Sequence, residues 1–529
     1  MAEMARWNGG SFLISAAPGA GKTRPAIEQA RRLLGEKLVD RVVLVCPTTP
    51  LTRQWAAAAG RLGLHLVPDA EGPRPPRDFH GVAVTYARIA TQPKLWAGAA
   101  TARTLVIADE AHHLGEELSW GQGFHAAFRD ASRWLLLSGT PFRSDGNPIP
   151  GVRYDRHGEC EPDVSYTYAD AVKDGVCRPV AFLTYDGTLS WRSGDDVIEA
   201  GFDTVLTGRE ASRRYRTAIS TELPDGLPRI LAEAHERLLG LRGGGHREAG
   251  GLVIAADSTE ARKIARLLKD VTGAAPLVVL HTEAAAAKKL AKFTDSTEPW
   301  LVAVNMVSEG VDIPRLRVGV YATAAKTPLI FRQIVGRFVR TMPGRAAEPS
   351  WLYLPADPVL RDHAANVEGE LRHVLKRAGG EEEGLFDEVD ERVKSEKTDD
   401  DAPAEFVPLM ADVASQMSLF GGAPAAAATP MAARPAPAFP SAIPAATPVP
   451  VAGEEEDAPA VPAFERRAQL RDKRHSLVGE LRRRDGRSHR EINAWLNREV
   501  GITRVDDATI AQLERSVEVL FDELTSARR

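Results

Sequence analysis

Apolar residues in the first part of the chain fall in short unbroken runs, at 12–15, 41–46, 81–85, 105–108 and 134–137, and the segments between them repeat apolar positions at helical spacing, as over 25–34. Continuous runs of four to six apolar residues mark strands buried on both faces, and their alternation with helices predicts a parallel sheet. A second series follows at 180–185, 252–255, 277–280, 300–304, 318–321 and 351–354. The pattern therefore predicts two α/β domains in tandem, over 1–150 and 151–378, with a polar stretch near 186–245 read as an irregular insertion plus a helix leading back into the second sheet. Beyond 378 the pattern stops: an acidic stretch with Glu381-Glu382-Glu383 and Asp399-Asp400-Asp401 gives way to an Ala/Pro-rich tract. Such a composition buries too little apolar surface to fold, so 379–462 is expected to be a linker. Helical periodicity returns at Leu470, Leu477, Leu481, Ile492, Trp495, Leu496, Ile510, Leu513, Val517 and Leu520, predicting a small helical domain over 463–529.

Two of the strand ends carry explicit chemistry. After the first run comes Ala16-Ala17-Pro18-Gly19-Ala20-Gly21-Lys22-Thr23, and after the fourth Asp109-Glu110-Ala111-His112. A Gly-rich turn between strand and helix presents consecutive backbone N–H groups to an anion, helped by the helix N-terminus. Ala17, Pro18, Gly19, Ala20 and Gly21 are thus expected to cradle a triphosphate, with Lys22 neutralising its β and γ phosphates and the Thr23 hydroxyl reaching Mg²⁺. Asp109 suits the same cation, and Glu110 suits orienting or deprotonating an attacking water. Further strand-end turns follow the same logic. Thr48, Thr49, Arg53 and Thr85 offer hydroxyls and a guanidinium that fit phosphate oxygens without reading bases.

Composition changes this picture little. The 529 residues are 43% hydrophobic with a formal net charge of −5, which shows no global basic field. Three cysteines, Cys46, Cys160 and Cys177, have no metal-ligand spacing and suggest no disulfide framework, so a reducing cytoplasm is the expected compartment. No apolar run reaches membrane-spanning length. The densest basic cluster, Arg482-Arg483-Arg484 with Arg487 and Arg490, lies in the C-terminal helical domain and makes that domain a candidate for phosphate contact, while 403–529 is the candidate region for a protein partner.

The order of the blocks closely resembles that of the superfamily 2 helicases, in the DEAH-type branch that includes restriction-enzyme translocase subunits and DNA repair helicases. The resemblance spans about residues 10–356 and rests on 16–23, Pro47-Thr48-Thr49-Pro50-Leu51-Thr52-Arg53-Gln54-Trp55, 109–112, Ser138-Gly139-Thr140, Val304-Asn305-Met306-Val307-Ser308-Glu309-Gly310-Val311-Asp312-Ile313-Pro314 and Gln333-Ile334-Val335-Gly336-Arg337-Phe338-Val339-Arg340. It implies two tandem RecA-like P-loop domains that use ATP and Mg²⁺, followed by the linker and the helical domain. It also implies that Arg337 and Arg340 act as arginine fingers on the γ-phosphate, that Gln333 helps place the water, and that Asp312 lies near the ribose. His112, Ser138 and Thr140 would couple nucleotide state to a strand-binding surface, and His281 would lie in a strand-contact loop. Only Met1–Gly10 precede the first block, with Trp7 but no Gln of the kind that contacts adenine in these helicases. The function implied is an ATP-dependent DNA helicase or translocase. The alternatives are a nucleotide-gated DNA clamp or scaffold without unwinding, and an RNA helicase.

Overall fold

The structure is a computed structural model that describes residues 2–116, 118–139, 148–157, 160–206, 208–280, 283, 286–304, 313–342, 345, 348–377, 406–417 and 461–526. It divides into two compact units, one of Met1–Ala16, Gly21–Ser165 and Pro450–Arg529, the other of Ala17–Ala20 and Tyr166–Val449.

In the first unit the five expected runs become β1 (Gly10–Ala16), β2 (Arg41–Cys46), β4 (Gly81–Thr85), β5 (Thr104–Ala108) and β6 (Arg133–Ser138), joined by a two-residue β3 (Leu66–Val67) that the pattern does not announce. A ribbon of β7 (Arg153–Tyr154) and β8 (Cys160–Glu161) precedes β9 (Val164–Tyr166), and the sheet order is β3-β4-β2-β5-β6-β1-β9. From β3 to β1 every neighbouring pair is parallel. That direction follows from the helical crossovers between strands, and it places all the strand C-termini at one edge, where open α/β sheets bind ligands. The core beneath is apolar and aromatic, built on Val43, Val45, Val84, Val106, Leu136, Phe124, Phe128 and Trp134.

The C-terminal helices Ala463–Asp485, His489–Val500 and Ile510–Ser526 form the expected bundle around Val478, Leu481, Ile492, Leu496 and Leu520. A capping box at Ser488 and Glu491 starts the middle helix, and Gly501 in the left-handed region ends it. The Ile510 backbone N–H donates to the Asp78 carboxylate at 2.8 Å, within the same unit.

The second unit holds β10 (Val180–Ser193), β11 (Asp196–Ala200), β12 (Gly250–Ala255), β13 (Leu277–Val279), β14 (Trp300–Val304), β15 (Leu316–Ala322), β16 (Ser350–Pro355) and β17 (Phe406–Met417). The order β11-β10-β16-β15-β12-β14-β13 is parallel from β10 to β13, while β11 and β17 both pair antiparallel with β10.

Two expectations are corrected here. The stretch from 186 is no irregular insertion at its start: β10 runs on to Ser193 and turns through Gly194 into β11, with Trp191 buried and its Nε1 donating to Glu210 at 2.8 Å. The linker reading of 379–462 likewise fails over 406–417. There a short, largely apolar segment pairs as a strand with β10 from Leu183 to Ser193 and buries Ala411 and Val413. Composition averaged over the whole stretch hid an alternation only a few residues long.

Candidate nucleotide site

Because β4, β2, β5, β6 and β1 are consecutive neighbours, the sequence blocks that follow them share one sheet edge. Past β1 the chain turns through Gly19 at φ +84° and Gly21 at φ +81°, a conformation that strains any residue with a Cβ, and enters the helix Thr23–Gly35. Lys22 directly precedes that helix, and Thr23 opens it.

Past β5 the Asp109 N–H donates to the Val45 carbonyl at 2.8 Å and the Ala111 N–H to Leu137 at 2.9 Å, so the acidic turn is pinned to both neighbouring strands. Between these anchors Glu110 adopts φ +51°, a left-handed conformation that costs a non-glycine residue about 1 kcal/mol or more and persists only where the surroundings impose it. The effect is to aim two adjacent carboxylates differently. Glu110 Oε1 lies 3.2 Å from Lys22 Nζ, and its Oε2 accepts the Gly139 N–H at 3.4 Å and lies 3.5 Å from His112 Nδ1. Asp109 is buried, with Oδ2 accepting the Trp55 indole N–H and its carbonyl accepting the Tyr86 hydroxyl, each at 2.7 Å. His112 Nδ1 lies 3.2 Å from Ser138 Oγ.

These environments push the two acids apart. Burial and the Glu110 charge raise Asp109 to about 6. Burial would raise Glu110 too, but the Lys22 ammonium and His112, with hydrogen bonds from Lys22 and Gly139, carry it down to about 2. One acid thus stays ionised in contact with a lysine, while for its neighbour burial and the Glu110 charge outweigh the same lysine, an arrangement met at catalytic sites. Among the described residues no group of three or more His, Cys, Asp or Glu could hold a metal ion. A single carboxylate plus the Thr23 hydroxyl fits a divalent cation that takes its remaining oxygens from phosphates and water. Such a cation would supply charge neutralisation for the phosphates.

Other expected site residues have varied surroundings. Gln333 and Arg337 sit one turn apart on the helix Pro328–Phe338, Arg337 buried, with Arg340 two residues past its end and half-buried. Arg53 faces solvent on the helix Thr49–Arg61. The Thr48 hydroxyl is buried without a hydrogen-bond partner among the described residues, whereas Thr85 Oγ1 caps the next helix by accepting the Arg88 N–H at 3.3 Å. Thr140, His281 and Asp312 lie outside the described residues. In the C-terminal basic cluster Arg484 bonds the Leu524 carbonyl, and Arg487 pairs with Asp485 and Glu523 and lies over the Trp495 ring, so part of the cluster is spent within the bundle. Sequence reasoning missed Trp55 and Tyr86 as partners of Asp109. Their only signal was an aromatic with a polar handle inside each strand-end block.

Known proteins match this arrangement. The profile of the family described as "Type III restriction enzyme, res subunit" matches residues 4–143, and that of "Helicase conserved C-terminal domain" matches 237–342. The uncharacterized protein Rv2917 of Mycobacterium tuberculosis (strain H37Rv) is 41% identical over 428 residues, covering 79% of this chain and 70% of that protein. The uncharacterized protein ML1624 of Mycobacterium leprae is 40% identical over 431 residues, covering 79% and 71%. Among solved structures, a fragment assigned to an HsdR subunit of a type I restriction enzyme from Vibrio vulnificus gives a TM-score of 0.46 at 18% identity, covering 67% of this chain and 61% of that one. Dbp5 from S. cerevisiae, bound to RNA and ADP BeF3, gives 0.42 at 12% identity, covering 69% and 84%. The chain belongs to the superfamily 2 helicases, in one family with the two mycobacterial proteins.

Proposed function

We propose that this helicase-family protein is an ATP-driven motor on DNA, which hydrolyses Mg-ATP and converts each cycle into movement along the phosphate backbone. The observation that carries the reading is the geometry of the acidic turn: Glu110, in a left-handed backbone, pairs with Lys22 at 3.2 Å beside a buried Asp109 whose Oδ2 accepts the Trp55 N–H. In this reading Ala17 to Lys22 hold the phosphates, Thr23 and Asp109 hold the cation, and Glu110 takes the proton of the attacking water with Gln333 helping to place it. Arg337 and Arg340 meet the charge that spreads over the γ-phosphoryl oxygens, and Asp312 lies near the ribose. His112, Ser138 and Thr140 couple the nucleotide to the strand contacts, for which Thr48, Thr49, Arg53, Thr85 and His281 are the candidates. The match of the first domain to a restriction-enzyme subunit supports DNA as the track. No described helix is long and apolar enough to cross a membrane.

The test is steady-state ATP hydrolysis by the full chain with single-stranded DNA, duplex DNA or RNA, alongside Arg340→Ala. Stimulation by DNA that disappears in the variant is the expected result. Stimulation by RNA alone would change the track, and turnover indifferent to every nucleic acid would refute the motor.

A further inference from the structure

Two buried aromatic side chains tie the expected strand-contact elements to Asp109 itself. Trp55 lies on the helix Thr49–Arg61 two residues after the solvent-facing Arg53, is 3% exposed, and donates its only N–H to Asp109 Oδ2 at 2.7 Å. Tyr86 directly follows Thr85, is 1% exposed, and donates its hydroxyl to the Asp109 carbonyl at 2.7 Å. Asp109 is thus gripped by its carboxylate from one element, by its carbonyl from another, and by its N–H through β2. The Tyr86 ring stacks on Trp120 with centroids 5.8 Å apart, Trp120 meets His113 at 6.2 Å, and His113 lies 4.3 Å from His112, whose Nδ1 reaches Glu110 and Ser138.

We infer that Trp55 and Tyr86 are positioning residues through which a bound strand sets the geometry of the Asp109 carboxylate, an inference that rests on the motor reading above. The alternative is that each donor merely needed an acceptor. A buried indole is satisfied by a backbone carbonyl, as Trp134 is by Phe128 at 3.1 Å. Trp55 instead occupies one oxygen of a buried carboxylate at the candidate cation site, and it does so from the helix whose exposed face carries Arg53. Both contacts are single hydrogen bonds in a close-packed interior, so neither ring shifts without breaking its bond or moving Asp109. A strand that displaces this helix or the Thr85 turn therefore changes where the metal-holding oxygen points. Outer partners of metal-holding groups typically alter metal affinity by about 10- to 100-fold when removed.

The experiment measures the affinity of the full-length protein for a fluorescent single-stranded oligonucleotide, without nucleotide and with Mg²⁺ plus a non-hydrolysable ATP analogue. The ratio of the two dissociation constants is the coupling between the sites. Trp55→Phe keeps an aromatic ring, smaller than the indole, and deletes the N–H. It should bring the ratio about tenfold closer to one and raise the Mg²⁺ concentration for half-maximal turnover about tenfold, while nucleotide-free affinity stays within about twofold of wild type. Tyr86→Phe, which loses a bond to a neutral carbonyl, should give a smaller change of about threefold and stands in if the first variant does not fold. A wild-type coupling ratio in both folded variants would overturn the inference. Absence of oligonucleotide binding by the wild-type protein would instead overturn the motor reading beneath it.

Discussion

Each unit buries a charged network, and the two are built on opposite terms. In the second unit the Arg315 guanidinium donates to the Phe293 carbonyl twice, to the carbonyls of Glu248 and Glu298 and to the Ser296 hydroxyl, and lies 3.8 Å from the centroid of the Phe293 ring. Its neighbour Arg317 bonds Pro349 O, His246 and Glu348. These are rigid planar donors matched to fixed acceptors, and they staple three chain segments to the start of β15. In the first unit, by contrast, two acids sit side by side, one in a left-handed backbone and one buried and raised by its neighbour's charge. Satisfied buried charge holds a fold together. Buried charge left in tension has chemistry still to do.

The comparison breaks most sharply at Glu110. Glu110→Gln keeps shape and removes the base, so kcat should fall by about 10² to 10⁴ while binding of a fluorescent ATP analogue and the unfolding midpoint remain near wild type. Wild-type turnover in the variant would remove Glu110 from catalysis. Arg315→Met is the opposite case. It strands several buried carbonyls and should cost about 3 kcal/mol in urea unfolding, with turnover per folded molecule unchanged at low temperature. A loss of turnover without loss of stability would make the second network functional after all.

The sequence carried the first network more fully than the second, for reasons visible in particular residues. Parallel strands buried on both faces read as apolar runs, and the chemistry of such sheets gathers where those runs end, so Lys22, Asp109, Glu110 and Ser138 are legible without coordinates. Trp55 and Tyr86 are not, because their role depends on which strand neighbours which. The same holds for β17: nothing local says that 406–417 will pair with β10. The pairing leaves its trace in Gly187, where a Cβ would come within 1.9 Å of the Asp412 carbonyl oxygen, so only glycine lets the two backbones approach. Arg315 and Arg317 are likewise not legible in the sequence, since only tertiary structure brings carbonyls to a guanidinium.

A second consequence of β17 lies between these extremes in size. Ending the chain after residue 402 deletes a strand paired with β10 over Leu183–Ser193 and uncovers a long sheet edge, whereas ending it after residue 420 keeps the strand. The shorter fragment should aggregate or lose about 2 kcal/mol or more relative to the longer one. Equal solubility and equal unfolding midpoints would reduce β17 to a surface decoration of the second sheet.

The finest test uses pH on the network that is otherwise silent. His246 is buried with its Nδ1 2.7 Å from Arg317 Nη1, and burial together with the Arg317 and Arg345 charges lowers it from 6.5 to about 4. The folded protein keeps this imidazole neutral at pH values where the unfolded chain protonates it. Its contribution is therefore complete above about pH 6.5 and is lost progressively as the pH falls toward about 4, a change of about 1 to 3 kcal/mol. Urea midpoints of wild type and His246→Gln should accordingly converge on acidification from about pH 7.5 to 5, because the variant has no proton to exclude. A constant difference across that range would mean that His246 titrates alike in both states, and the arginines around it would then be screened by something other than the acceptors they touch.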